Sequence, residues 1–240
     1  MSIVAETIQL SKKFLFKKAQ KTFFQAIQNI FSQKNLEAKW VLRDLNLQIR
    51  EGQRIALIGD NGAGKSTLLR ILAGIYDATE GEIRLKEKPD TLFSLGVGSM
   101  DDLPVEDNVY VFAAIYGIDR RIIQNRIEVI LERSQLSYLR YSPVRQLSAG
   151  QRQRLALSVF FESQARFLIF DECLSYLDSN YVNSCEDQFR QLLSEGRTIM
   201  MASHDMDFLS RFCDEGCWLD RGAIRAFGKL EDVIRAYRGL

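Results

Sequence analysis

The sequence predicts an α/β fold, with a mainly parallel core sheet covered by helices on both faces. Three observations carry that expectation. Arg54–Ile58, Arg166–Phe170 and Thr198–Ala202 are short apolar runs that read as buried strands. Stretches of helical character separate them, which is the alternation a parallel sheet needs. A glycine-rich turn, Gly59–Ser66, joins the first of these strands to a helix. With 240 residues, 46% of them hydrophobic and 26% charged, the chain suits one domain over 1–240 with a sizeable core.

In chain order, Ile3–Leu10 alternates weakly and predicts a strand. Phe14 to Trp40 is rich in Lys, Gln and Phe. Phe23, Phe24, Ile27, Ile30 and Phe31 recur there at helical spacing, predicting an amphipathic insertion over about 15–39. Lys12, Lys13, Lys17, Lys18 and Lys21 precede its apolar face, so the insertion is expected to meet anionic headgroups, a partner or its own domain. Val41–Ile49 alternates as a strand, and Glu51-Gly52 makes a turn. Thr67–Ile75 reads as a helix and Gly81–Leu85 as a strand. From Val105 to roughly Tyr141 the pattern is helical, and another helix follows Ser148, giving a helical subdomain over about 101–160.

Lys+Arg number 32 and Asp+Glu 31, so overall charge calls for neither nucleic acid nor membrane. None of the four cysteines forms a C-x-x-C pair, which fits reduced, mostly buried thiols in a cytosolic protein. Met1–Thr7 has no basic stretch leading into an apolar one, so no signal peptide is expected. No apolar run reaches the roughly 18 residues of a membrane-crossing helix. If the chain serves transport, the pore is expected on another polypeptide.

The chemistry begins at Gly59-Asp-Asn61-Gly62-Ala63-Gly64-Lys65-Ser66-Thr67, which fits G-x-x-x-x-G-K-S without a gap. Successive backbone N–H groups must turn inward to wrap a polyphosphate, and Gly59, Gly62 and Gly64 allow that path. The following helix aims its positive end at the same phosphates. Lys65 can reach the terminal phosphates, and Ser66 can offer its hydroxyl to Mg2+. Alone, this motif says only nucleoside triphosphate.

Phe167–Phe170 delivers two carboxylates, Asp171 and Glu172, at the end of a strand. Asp171 is expected to hold Mg2+ and Glu172 to polarise the attacking water. His204 follows the strand Thr198–Ala202, at the end of a parallel strand where sites in such sheets form. From there it can sense the terminal phosphate. Leu147-Ser148-Ala149-Gly150-Gln151 is another helix start with a serine hydroxyl and a glycine backbone, suited to a phosphate and equally to a plain helix cap.

In this order the motifs resemble the ABC ATPases, and the resemblance covers nearly the whole chain. It implies a P-loop NTPase domain with an antiparallel N-terminal β part beside the parallel core. It also implies ATP as nucleotide and a head-to-tail dimer that sandwiches two ATP molecules. Ser148, Ala149, Gly150 and Gln151, similar to the signature segment with Ala149 in place of a glycine, would complete a site built on the second copy's Lys65. Leu174–Asp178, with Ser175 and Asp178, resembles the D-loop that crosses such an interface. Phe14 occupies the place of the aromatic that stacks on the base, with Phe16 and Trp40 as rivals.

A finer resemblance is to the ATPase subunits of bacterial polysaccharide exporters. Trp40–Leu45 behind a Lys/Phe-rich insertion, Leu95–Gly98 running to Glu106-Asp-Asn108, and Tyr141–Ser148 carry it. It implies a transmembrane permease subunit that handles a lipid-linked glycan (O-antigen, capsule or teichoic acid). It places the chain peripherally on the cytoplasmic face of the inner membrane. The stretch near Leu95–Gly98 lacks the glutamine common in ABC ATPases. Another ABC exporter of lipid or drug, or a non-transport ABC ATPase, stays open as an alternative.

Overall fold

A computed structural model describes residues 2–17, 36–93, 96–172 and 179–239. The first half contains β1 (Ile3–Lys17), β2 (Leu36–Arg50), β3 (Arg54–Ile58), α1 (Lys65–Leu72), β4 (Glu80–Leu85) and β5 (Asp90–Leu92). The middle contains α2 (Val105–Tyr116), α3 (Arg120–Arg133) and α4 (Ala149–Phe160). The remainder is β6 (Phe167–Asp171), α5 (Ser179–Ser184), α6 (Glu186–Ser194), β7 (Thr198–Ala202), α7 (Met206–Phe212), β8 (Glu215–Asp220), β9 (Ala223–Lys229) and α8 (Leu230–Arg238).

Two sheets result. One has the order β2-β1-β4 and is antiparallel throughout. The other has the order β5-β6-β7-β3-β8-β9. Its strands run parallel from β5 to β8, and β9 returns antiparallel at the edge. β5, β8 and β9 are not marked by a strong periodic signal in the sequence, whereas α8 carries Leu230, Val233, Ile234 and Tyr237 at helical spacing and was missed. The core strands are buried at almost every residue, as a sheet covered on both sides requires.

Alternation within these strands sorts side chains into two apolar clusters. Ala56, Ile58, Leu168, Phe170, Ile199 and Met201 face a cluster built with α2, α3, α4, α6 and α7. Ile55, Leu57, Phe167, Ile169, Met200 and Ala202 face the opposite one, with α1 and the antiparallel sheet. The central sheet is therefore the partition between two cores.

The N-terminal strand is longer than the sequence pattern predicts. β1 continues past Leu10 to Lys17, and β2 already begins at Leu36. Pairing runs from Lys13 opposite Trp40 out to Lys17 opposite Leu36. Leu15–Lys17 and Leu36–Lys39, assigned to the amphipathic insertion, are thus the outer legs of two paired strands. Just inside these legs the Lys13 ammonium lies 5.0 Å from the centre of the cross-strand Trp40 ring. Phe23, Phe24, Ile27, Ile30 and Phe31 lie outside the described residues.

The helical stretch from Val105 to Tyr141 is broken. Gly117, with φ 73°, ends α2, and the Asp119 carboxylate caps α3 by accepting from the Arg121 N–H. After α3 come two short 3-10 turns, Ser137–Leu139 and Val144–Gln146. Asn108 is wholly buried and binds the backbone of Met100, Leu103 and Pro104, fixing the loop that enters α2. Among the described residues no helix is long and apolar enough to cross a membrane.

Candidate functional site

The phosphate-loop motif leaves β3 and enters α1, and its glycines are required by space. A Cβ on Gly59 would lie 2.1 Å from the Leu219 carbonyl oxygen. Gly64 caps α1 with φ 110°, and a Cβ there would lie 2.7 Å from the Leu42 side chain. α1 starts at Lys65, two residues before the predicted Thr67, and ends at Leu72 rather than Ile75.

Lys65 is 5% exposed. Its ammonium donates to the Gly59 carbonyl at 2.7 Å and the Asp60 carbonyl at 3.3 Å. The nearest carboxylate oxygen, on Glu172, is 3.9 Å away. A buried cation so weakly neutralised favours an incoming anion.

Asp171 ends β6 and Glu172 follows it, as the apolar run predicts. The Ser66 hydroxyl donates to Asp171 Oδ1 at 3.1 Å. Burial holds the Asp171 carboxyl above its usual range, with the Ser66 hydrogen bond opposing and the Glu172 charge adding to the rise. Glu172 takes a left-handed backbone, φ 51°, uncommon for a side-chain-bearing residue. Its N–H donates to the Ala202 carbonyl at 2.8 Å, which pins this turn to the end of β7. Glu172 Oε1 lies 3.0 Å from His204 Nε2. The structure therefore brings Lys65, Ser66, Asp171, Glu172 and His204 to the carboxyl ends of three neighbouring strands.

A cavity of about 760 Å³ opens beside these groups. The loop and the start of α1 contribute Asp60, Asn61, Gly62, Gly64, Lys65, Ser66 and Thr67 to its lining, and Glu172 enters from just beyond β6. Lys39, Trp40, Val41 and Arg43 come from β2, and Arg221 from the β8–β9 turn. That turn is tied to the site by the backbone: Gly222 N–H donates to Ala63 at 2.9 Å, and Arg43 N–H donates to Gly222 at 2.8 Å. Sequence reasoning missed Lys39, Arg43 and Arg221. They reach the cavity through strand pairing between distant segments, and no local motif marks them.

Phe14, expected as the stacking platform, does not line this cavity. Its ring meets Tyr76 edge-on at 5.5 Å and Phe16 at 6.4 Å. Its rival Trp40 does line it. In the β1–β2 pairing Trp40 sits opposite Lys13 and Phe14 opposite Lys39.

Ser148 to Gln151 open α4 in a closed capping box. The Ser148 hydroxyl accepts from the Gln151 N–H at 3.2 Å, and the Gln151 side chain accepts from the Ser148 N–H at 2.8 Å. Ala149 and Gly150 form the first turn. Among the described residues no hydrogen bond or ion pair links this helix end to Lys65, Ser66, Asp171 or Glu172. Ser175 and Asp178 lie outside the described residues.

The donor set suits one kind of cation. A serine hydroxyl beside a carboxylate offers hard oxygen, and no group of three His, Cys, Asp or Glu able to hold a metal exists among the described residues. Mg2+, which keeps waters and phosphate oxygens in its shell, fits so sparse a protein contribution.

Comparison with known proteins agrees with this geometry. Residues 42–175 match the family model described as ABC transporter. The O-antigen export system ATP-binding protein RfbB of Klebsiella pneumoniae is 32% identical over 197 residues, 82% of this chain and 80% of that protein. The teichoic acids export ATP-binding protein TagH of Lactococcus lactis is 31% identical over 229 residues, 95% of this chain but 49% of that protein. RfbB of Myxococcus xanthus is 33% identical, and this chain spans 45% of it. Among solved structures, an ATP-binding subunit of an ABC transporter superposes with a TM-score of 0.75 at 22% identity, covering 99% of this chain and 95% of that one. A dimeric, post-hydrolysis ATP-binding cassette with ADP and Pi gives 0.73 at 21% identity, covering 94% and 98%. Motif order, sheet order and the matched sequence lead to one assignment: the chain belongs to the ABC transporter family and has its ATPase fold.

Proposed function

We propose that the chain is the ATP-hydrolysing subunit of an exporter that moves a lipid-linked polysaccharide across the cytoplasmic membrane through a separate transmembrane subunit. The observation that carries the ATPase part is the convergence of Lys65, the Ser66–Asp171 pair and the Glu172–His204 pair on one cavity. Lys65 and the loop N–H groups bind the terminal phosphates. Ser66 and Asp171 hold Mg2+, which neutralises charge on the phosphates when bound. Glu172 accepts a proton from the attacking water, and His204 orients the Glu172 carboxylate. Trp40 supplies the aromatic wall for the base, a role Phe14 is not positioned to fill.

Ser148–Gln151 acts in trans. The N-terminus of α4 completes a site on a second copy, and ATP is buried between the two. Ser175 and Asp178 belong to the same interface. The chain lies peripherally on the cytoplasmic face of the membrane, held by its permease. The glycan part of the reading is supported by the names of the relatives, which are O-antigen and teichoic acid export proteins.

The test is Glu172→Gln in the native host, with purified protein alongside. Hydrolysis should fall about 10²–10⁴-fold while MgATP still binds. Lipid-linked glycan should accumulate inside the cell as the surface polymer disappears. Unchanged glycan at both locations, with the variant stable and ATP-bound, would remove the polysaccharide assignment and leave the ATPase.

A further inference from the structure

We propose that Tyr237, on the C-terminal helix α8, is a positioning residue for the phosphate loop and couples the docking of that helix to ATP. The reading rests on Gly59–Ser66 being the ATP seat. Its observation is a hydrogen bond from outside the site. The Tyr237 hydroxyl donates to Asp60 Oδ1 at 2.7 Å, across 177 positions of sequence.

Asp60 is the second residue of the loop, and it lines the cavity. Its backbone carbonyl accepts from the Lys65 ammonium at 3.3 Å. A carboxylate at that point has two effects on a triphosphate. Free to rotate, it repels the phosphates and competes with them for Lys65. Held aside by a hydroxyl donor, it does neither, and it anchors the backbone that carries the Lys65 contact.

Tyr237 can hold it because its own ring is fixed. It packs edge-on against Trp218, with centroids 5.8 Å apart. Trp218 lies on β8, paired with Ile58 at the residue just before the loop. Leu230 and Val233 of α8 are buried against Gly216 of the same strand. Phosphate loop, β8 and α8 thus form one closed circuit, and Tyr237–Asp60 is the polar link that closes it.

Coupling is reciprocal: if the docked helix favours ATP, bound ATP must favour the docked helix. Any force on α8, from whatever packs on it, then acts on nucleotide affinity.

The test uses Tyr237→Phe, which keeps the ring against Trp218 and removes the donor. MgATP affinity of the full chain should weaken about tenfold, the size of one charge-assisted hydrogen bond. KM for hydrolysis should rise by the same factor with kcat little changed. In an Asp60→Ala background the same substitution should add nothing. Hydrogen exchange of residues 230–238 should slow on adding MgATP in the wild type, and not in Tyr237→Phe or Asp60→Ala.

Unchanged affinity in Tyr237→Phe overturns the proposal, as does an effect that persists with Asp60→Ala. If Tyr237→Phe does not fold, Asp60→Ala alone decides through the exchange readout: retained ATP-dependent slowing overturns it. Lys65→Ala is the control for the underlying reading. Loss of MgATP binding there, with Tyr237→Phe neutral, removes only the latch. Retained binding in Lys65→Ala removes the ATP seat itself.

Discussion

Cys213 and Cys217 are buried thiols, the first capping the end of α7 and the second within β8. Burial pushes both up to about 12 from an ordinary value of 9.0, with the Asp214 charge adding to the rise at Cys213. Above that ordinary value an unfolded chain loses these protons while the folded one keeps them. The folded state then binds more protons, so the stability present below pH 9 is lost as pH rises toward 12. Each thiol contributes about 1.4 kcal/mol of loss per pH unit in that window. Urea unfolding across pH 8–10.5 should show this slope, and Cys217→Ala should reduce it by about half. That Lys65, Asp171, Glu172 and His204 gather at strand ends was legible because each sits in a local pattern there. The left-handed backbone of Glu172 was not, since a bond to Ala202 on a strand 26 or more positions onward imposes it. Phe14, Phe16 and Trp40 were three aromatics the sequence could not rank, and of these Trp40 lines the cavity.

Glu162, just beyond α4, ties that helix to α3. Its carboxylate accepts from Arg126 Nε at 3.0 Å and Arg133 Nη1 at 2.9 Å. Its side chain and that of Arg133 are nearly enclosed, at 8% and 12% exposure, whereas Arg126 is 44% exposed. Breaking an enclosed pair strands a charge. Glu162→Ala should therefore destabilise the chain by about 3 kcal/mol. Arg126→Ala should cost under about 1 kcal/mol, the range of exposed ion pairs. Thermal or urea unfolding of the two variants compares them directly. Helix breaks at this level could be read from Gly117 and Asp119. The outer legs of β1 and β2 could not: Lys12 to Lys17 mixes lysine with aromatic and aliphatic residues without alternation, and their pairing lies far along the chain. β9 likewise has no apolar run, because it is an edge strand with one face on solvent.

Among the described residues, no hydrogen bond or ion pair joins the Lys65 cluster to the start of α4. Lys65 and its neighbours lie at the carboxyl ends of β3, β6 and β7, while the start of α4 has closed its own capping box. A head-to-tail pair makes a sharp prediction from symmetry. Lys65→Ala and Ser148→Arg chains should each be inactive alone. Mixed in equal amounts, they form hybrid pairs with one intact site, and hydrolysis should return to about a quarter of wild type. No recovery on mixing would mean that Ser148 acts on its own chain's nucleotide. The parallel core was legible in three apolar runs. The order of those runs in the sheet was not, because order depends on crossovers that no local pattern encodes.

That order has a consequence for how the chain is made. β3 leaves the ribosome early, yet both its neighbours, β7 and β8, come more than 100 residues later. At a synthesis rate of about 5–20 residues per second, both edges of this apolar strand wait roughly 10–30 s for partners. The β1–β2–β4 sheet and α1 are complete by Leu85, and they pack on one face of that strand. The nascent chain thus has a cover for one face of this apolar strand long before the ATPase exists, and the antiparallel sheet serves as a vectorial chaperone built into the order of synthesis.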